Sequence, residues 1–162
     1  MDHVCTFELP GRKAAVRILT LLERLLFPGY FDNRPVERPN LPSRLHETAA
    51  EAFELLQEQI ALCRMHERRE SSKTARQRAF ADARQDALDL LKYLPKLIEI
   101  LDGDVEAAYL GDPAATGNDE IIICYPGFQA VMVHRIAHRL HQMAVPLLPR
   151  IMSEHAHSIT GI

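Results

Sequence analysis

The sequence contains no tryptophan, and its four tyrosines and six phenylalanines make only 6% of its 162 residues aromatic. A core must therefore be assembled from Leu, Ile, Val and Ala, in a chain long enough to bury one. Cysteine is equally scarce. Cys5, Cys63 and Cys124 are odd in number, far apart and without CxxC spacing, which argues against a disulfide framework or a zinc knuckle. They read as reduced thiols, with Cys63 and Cys124 as small core hydrophobes. No GxGxxG or GxxxxGK phosphate loop and no GxSxG nucleophile elbow occurs. Every apolar run is broken by charge before it reaches a membrane span, and Met1-Asp2-His3-Val4 does not begin a signal peptide. A soluble, cytoplasmic chain is expected. The net charge of −3 and the pI near 6.2 give no electrostatic reason to expect nucleic acid as a partner. Arg64, Arg68, Arg69, Lys73, Arg76 and Arg78 are interleaved with Glu67, Glu70 and Asp82 and read as a solvated helix face.

What is present is helical periodicity. Ala15, Ile18, Leu19, Leu22, Leu25 and Leu26 share one face of a first helix, which Pro28-Gly29 ends. A Pro-punctuated loop follows, with Ser43 as a candidate cap for the second helix. Leu45, Ala49, Ala52, Phe53, Leu56, Ile60 and Cys63 form the stripe of that helix, and Ala79, Phe80, Ala83, Ala87, Leu90, Leu91 and Leu94 that of a third. The short polar break at Glu70-Ser71-Ser72 predicts an antiparallel hairpin between them. Pro95 is expected to start a new short helix or a kink reaching Gly103. Asp104 and Asp119 are candidate caps for the next two helices. Ile121-Ile122-Ile123 could be a strand by residue type, but no second strand candidate exists to pair with it, so helix is preferred. Pro126 opens a further helix, Pro146 to Ser158 is the last, and Gly161 is its exit. The expectation is an all-α, compact bundle of about six to eight helices. Residues 1–103 and 104–162 are its two regions, expected to form one folded unit.

Few of these residues combine into a site. His134, His138 and His141 lie at i, i+4 and i+7 on one helix face, a spacing that could hold a metal. Arg135 and Arg139 add repulsive charge and no carboxylate is near in sequence, so structural or surface histidines are preferred over a metal site. His155 and His157 are too close in sequence to share a helix face, and positive charge suits a helix end. Asp112, before Pro113, is either a turn initiator bonding the following backbone or a ligand contact. No nucleophile or general base is identifiable.

The segment from about Asp104 to Ile162 resembles bacterial serine O-acetyltransferases of the hexapeptide-repeat acyltransferase family. The resemblance rests on Gly111-Asp112-Pro113-Ala114-Ala115, Tyr125-Pro126-Gly127-Phe128 with Ala130, and His134-Arg135-Ile136-Ala137-His138-Arg139-Leu140. It continues through Val145-Pro146-Leu147, Pro149-Arg150 and His155-Ala156-His157-Ser158-Ile159-Thr160-Gly161-Ile162. It implies the N-terminal helical domain of an enzyme that transfers acetyl from acetyl-CoA to the hydroxyl of L-serine, in cysteine biosynthesis. In that family a histidine acts as general base and an aspartate orients it. Both lie with the CoA groove in a left-handed β-helix downstream of the equivalent of Ile162. The resemblance therefore implies no catalytic, cofactor-binding or metal residue in this chain, and no acetyltransferase activity from it alone. It implies one substrate contact, Asp112, towards the amino group of serine. It also implies a homo-oligomer formed through the helical domain, with exposed apolar surface near Ile151, Met152 and Ile162. Cysteine synthase would be a partner of the intact enzyme only. The segment around His134 and His138 would pack the last helices together, with Arg135 bonding to helix ends or carboxylates. The alternative is a stand-alone helical interaction or oligomerisation module with no enzymatic role.

Overall fold

A computed structural model describes residues 8–32, 35 and 37–162, which form an all-α fold. Its helices are α1 (Arg12–Leu26), α2 (Leu41–Arg68), α3 (Lys73–Gly111), α4 (Asn118–Cys124), α5 (Pro126–Gln142) and α6 (Leu148–Thr160), with a 3-10 turn at Arg38–Asn40. The expectations for Cys5 and for the N-terminal tetrapeptide fall outside the described residues. Among the described residues no helix is long and apolar enough to cross a membrane.

The α2–α3 hairpin is the largest element. Arg69 takes the left-handed conformation (φ 52°), letting the Arg69 and Glu70 N–H groups donate to the His66 and Met65 carbonyls at 3.2 and 3.1 Å and close α2. Ser72 then caps α3, its Oγ accepting the Ala75 N–H at 3.1 Å. Ala75, Ala79, Ala83 and Ala87 form a buried i, i+4 row that lets α2 approach closely. Arg64 reaches across the hairpin to Asp82 and Asp86. It is thus an interhelical clamp and not part of a solvated face.

The helix expected to stop near Leu94 does not stop. Leu90, Leu94, Leu97, Leu101 and Val105 carry the buried row of α3 onward in the same register, past Pro95 and Gly103. Both of these face solvent, and a Cβ on Gly103 would touch nothing within 4 Å. Burial of one continuous row outweighs the proline's missing N–H. Asp104 is consequently mid-helix and caps nothing; it pairs with Arg135.

Two other caps also differ from expectation. The 3-10 turn leads directly into α2 at Leu41, which places Ser43 inside that helix. Asp119 is the second residue of α4, whose N-cap is Gly117. The α1 N-terminus has no capping side chain of its own; the buried Gln59 of α2 supplies one, its Oε1 accepting the Gly11 N–H at 2.8 Å.

The other half of the molecule is the α5–α6 hairpin. Phe128, Met132, Ile136 and Leu140 of α5 and Leu148, Met152 and Ala156 of α6 form matched i, i+4 rows, all buried. Met152 is therefore core and Ile151 half-buried, while Ile162 is exposed as expected (66%) and Leu110, Ile123 and Ile159 are exposed besides, at 76, 62 and 50%. The Phe27 ring meets Phe128 edge-on at 5.6 Å, joining the end of α1 to the start of α5.

Two predictions follow from this packing. Gly103→Ala should stabilise the fold by about 0.5–1 kcal/mol and Pro95→Ala by about 1–3 kcal/mol, read from urea midpoints, because both positions face solvent inside a helix that alanine favours. The second concerns Glu23 of α1, whose carboxyl burial pushes up from 4.5 to about 7 against the pull of Arg24. Between those values the folded chain holds a proton that the unfolded chain releases, so stability should fall as pH rises through that window. Glu23→Gln should remove this dependence and raise stability at pH about 8 by on the order of 1–3 kcal/mol, measured by urea unfolding on both sides of the window.

Candidate substrate-facing site

The site candidate is built where α3 ends. Pro113 offers no N–H and disfavours helical dihedrals in the residue before it, so Asp112 leaves the helix extended (φ −117°, ψ 104°). Its backbone still finishes the helix, the N–H donating to the Ala108 carbonyl at 3.2 Å, while its carbonyl accepts the Ala115 N–H at 3.0 Å. Its carboxylate faces two donors. Oδ1 accepts the Ala114 N–H at 2.9 Å, the turn bond expected of an aspartate before proline. Oδ2 accepts the Tyr125 phenol at 2.6 Å. The phenol first, and then the Ala114 N–H, hold the Asp112 carboxyl below its ordinary value. The same bond pushes the Tyr125 phenol up to about 12, so it remains a donor at neutral pH.

Two more carboxylates stand just after this loop, in the first turn of α4. Glu120 accepts both the N–H and the hydroxyl of Thr116 at 2.7 Å, a variant of the capping box shifted by one residue. These bonds hold its carboxyl below the ordinary range. Asp119 accepts the Tyr30 phenol at 2.6 Å, tying the segment after α1 to α4. Among the described residues, none of Asp112, Asp119 and Glu120 is ion-paired with Lys or Arg; all three are held by neutral hydroxyl or N–H donors. The loop therefore keeps a concentrated negative charge that suits a cationic ligand group.

The histidines form no comparable arrangement. The His134 and His138 rings stack at 5.8 Å on the exposed side of α5, so Ile136 and Ala137 do the packing that was expected of the whole segment. The Nε2 atoms of His138 and Gln142 lie 3.0 Å apart, and His141 is exposed. Among the described residues no group of three or more His, Cys, Asp or Glu could hold a metal ion. His157 Nδ1 lies 3.1 Å from the Ile162 carbonyl, and Glu154 pairs with Arg150, not with His155. Arg135 meets a carboxylate as expected: its Nε and one terminal nitrogen both donate to Asp104, clamping α5 to α3.

Sequence reasoning missed Tyr125, Glu120 and Tyr30. The Thr116 to Glu120 spacing was a usable signal for one of them. The two phenols reach their partners across 13 and 89 residues, and no local pattern announces that. Cys124 was also misplaced: α4 is two turns long, buries only Ile121 and leaves Cys124 exposed at its end.

A groove of about 440 Å³ runs between α5 and α6, lined by Gly127, Ala130, Val131, His134, Ala156 and Ile162. Together these features define a helical domain that offers an acidic loop and an apolar groove. In sequence and fold the chain is the counterpart of the N-terminal helical part of serine acetyltransferases. It is 37% identical over 158 residues to a plasmid-encoded serine acetyltransferase of Synechococcus elongatus, a match covering 96% of this chain and 50% of that protein. The Mycobacterium tuberculosis serine acetyltransferase is 42% identical over 66 residues, 41% of this chain and 29% of that one. Among solved structures, serine acetyltransferase 1 of Entamoeba histolytica, in complex with L-cysteine, superposes with a TM-score of 0.71 at 31% identity. That match covers 90% of this chain and 48% of that one. No protein-family model matches the chain. The chain spans about half the length of the relatives that it matches along most of its own length.

The two described thiols should behave differently. Burial pushes the Cys63 thiol up to about 12, which denies it thiolate character. In a Cys5→Ser background, Ellman's reagent should titrate one thiol rapidly, lost in Cys124→Ser, and the second only on unfolding.

Proposed function

We propose that this chain supplies the helical half of a serine O-acetyltransferase and presents one wall of its serine pocket. The observation that carries this reading is the Asp112 carboxylate, fixed at the end of α3 by two neutral donors and, among the described residues, in no ion pair with Lys or Arg. The α-ammonium of serine is the complementary group, and a carboxylate held by neutral donors keeps its charge for it. The reaction would use acetyl-CoA as co-substrate. The serine hydroxyl would attack the thioester carbonyl, lose its proton to a general base and expel the CoA thiol. The base, the carboxylate that orients it and the CoA groove are assigned to the half of the relatives that this chain does not match.

On this reading the domain works in the cytoplasm and also supplies contacts between copies. The exposed apolar residues Ile123, Val131, Ile159 and Ile162, spread over α4, α5 and the end of α6, are the surface proposed for that association. Cysteine synthase is a possible partner of the intact enzyme only.

Two measurements test this. The purified 162-residue chain should show no acetyl transfer from acetyl-CoA to serine, followed by release of free thiol; measurable turnover would sink the assignment of the chemistry to other residues. In the full-length polypeptide that carries this domain, Asp112→Asn should raise KM for serine tenfold or more and leave KM for acetyl-CoA within about twofold. Equal changes in both constants would remove Asp112 from the serine pocket.

A further inference from the structure

We propose that Tyr125 is the positioning residue that aims the Asp112 carboxylate at the substrate's ammonium group; this rests on the serine-pocket reading of Asp112. Tyr125 sits at the junction of α4 and α5 and is fixed from both sides. Its N–H donates to the Ile121 carbonyl of α4 at 3.3 Å, and its carbonyl accepts the Gln129 N–H of α5 at 3.1 Å. Pro126 at the start of α5 restricts its backbone to the extended region it occupies (φ −85°, ψ 112°). With the backbone held, only two side-chain torsions decide where the phenol points. It points across the loop, 13 residues back in sequence, to Oδ2 of Asp112 at 2.6 Å.

The consequence lies in the remaining lone pairs. A carboxylate offers about four acceptor sites. Ala114 takes one on Oδ1 and Tyr125 one on Oδ2, leaving an acceptor site on each oxygen. Without the phenol, Asp112 would be anchored through Oδ1 alone and its carboxylate could turn about the Cβ–Cγ bond. With it, both oxygens are fixed before the substrate arrives. An arginine or lysine would hold the carboxylate as firmly but would also neutralise it, as Arg135 does for Asp104. A phenol supplies the geometry and leaves the charge for the ligand.

The test uses Tyr125→Phe, which keeps the ring and removes only the hydroxyl. In the 162-residue chain, the Asp112 carboxyl followed by NMR should titrate at higher pH in the variant than in the parent. An unchanged titration would mean that the bond is not formed in solution, and the inference falls. In the full-length polypeptide, Tyr125→Phe should raise KM for serine about three- to tenfold, with KM for acetyl-CoA unchanged. In an Asp112→Asn background it should add less than about twofold, because the group it positions is already lost. Equal rises in both KM values, additivity with Asp112→Asn, or failure of Tyr125→Phe to fold would make Tyr125 a loop staple and overturn the proposal. If Asp112→Asn itself leaves KM for serine unchanged, the serine-pocket reading falls, whatever Tyr125→Phe does.

Discussion

The fold depends on one unbroken buried row along α3, from Ala75 through Ala87 and Leu90 to Val105. A 39-residue helix is about 58 Å long at the usual rise, longer than the packing of one partner helix can support. The row solves this by changing residue size partway. Its alanine half lets α2 lie close, and its leucine half offers volume to the rest of the bundle. Because α3 carries both halves, the hairpin with α2 and the pair α5–α6 are held in relation to a single rod. The Arg135–Asp104 clamp sits on that rod one turn below the core residue Leu101 and two turns before Asp112.

This explains why Pro95 and Gly103 were misleading in the sequence. Both are locally correct stop signals, and each costs the helix stability. They are tolerated because both stand on the solvent side while the buried row passes behind them, and a row of five large apolar side chains outweighs one missing hydrogen bond. The stripes themselves were legible because their period is set by burial, as were the stops at Pro28-Gly29, the Ser72 break and the Pro126 start, where local dihedral limits and tertiary packing agree. Met152 and Cys124 were not. Their burial depends on which neighbouring helix covers them, and the sequence near Met152 does not distinguish a face turned to α5 from one turned to solvent. For the candidate site, the Asp112 turn was readable from Asp-Pro chemistry, whereas the phenol completing it comes from the far side of a short helix.

Two aspartates, Asp104 within α3 and Asp112 at its C-cap, show how the same side chain is put to opposite uses. Asp104 accepts two bonds from the Arg135 guanidinium, and its charge is spent within the molecule on joining two helices. Asp112, eight residues later, accepts from an amide N–H and a phenol, neither of which carries charge. The two pairs look alike as hydrogen bonds and differ entirely as electrostatics. One is closed, and on the serine-pocket reading proposed above the other still has an interaction to make.

That difference also bears on the three such carboxylates between the end of α3 and the first turn of α4. Asp112, Asp119 and Glu120 lie within nine residues, and like charges so placed repel. A loop shaped only for stability would relieve this with a lysine or arginine, yet each carboxylate is held by hydroxyl or N–H donors. The donors fix the positions and leave the repulsion in place. A cation brought to Asp112 would therefore gain from the Glu120 charge as well, which is near enough to feel Asp112, while only Asp112 would need to touch it. On the serine-pocket reading proposed above, the tyrosines and Thr116 would be the mechanical part of the site, and the charge that they leave unneutralised the part available for binding.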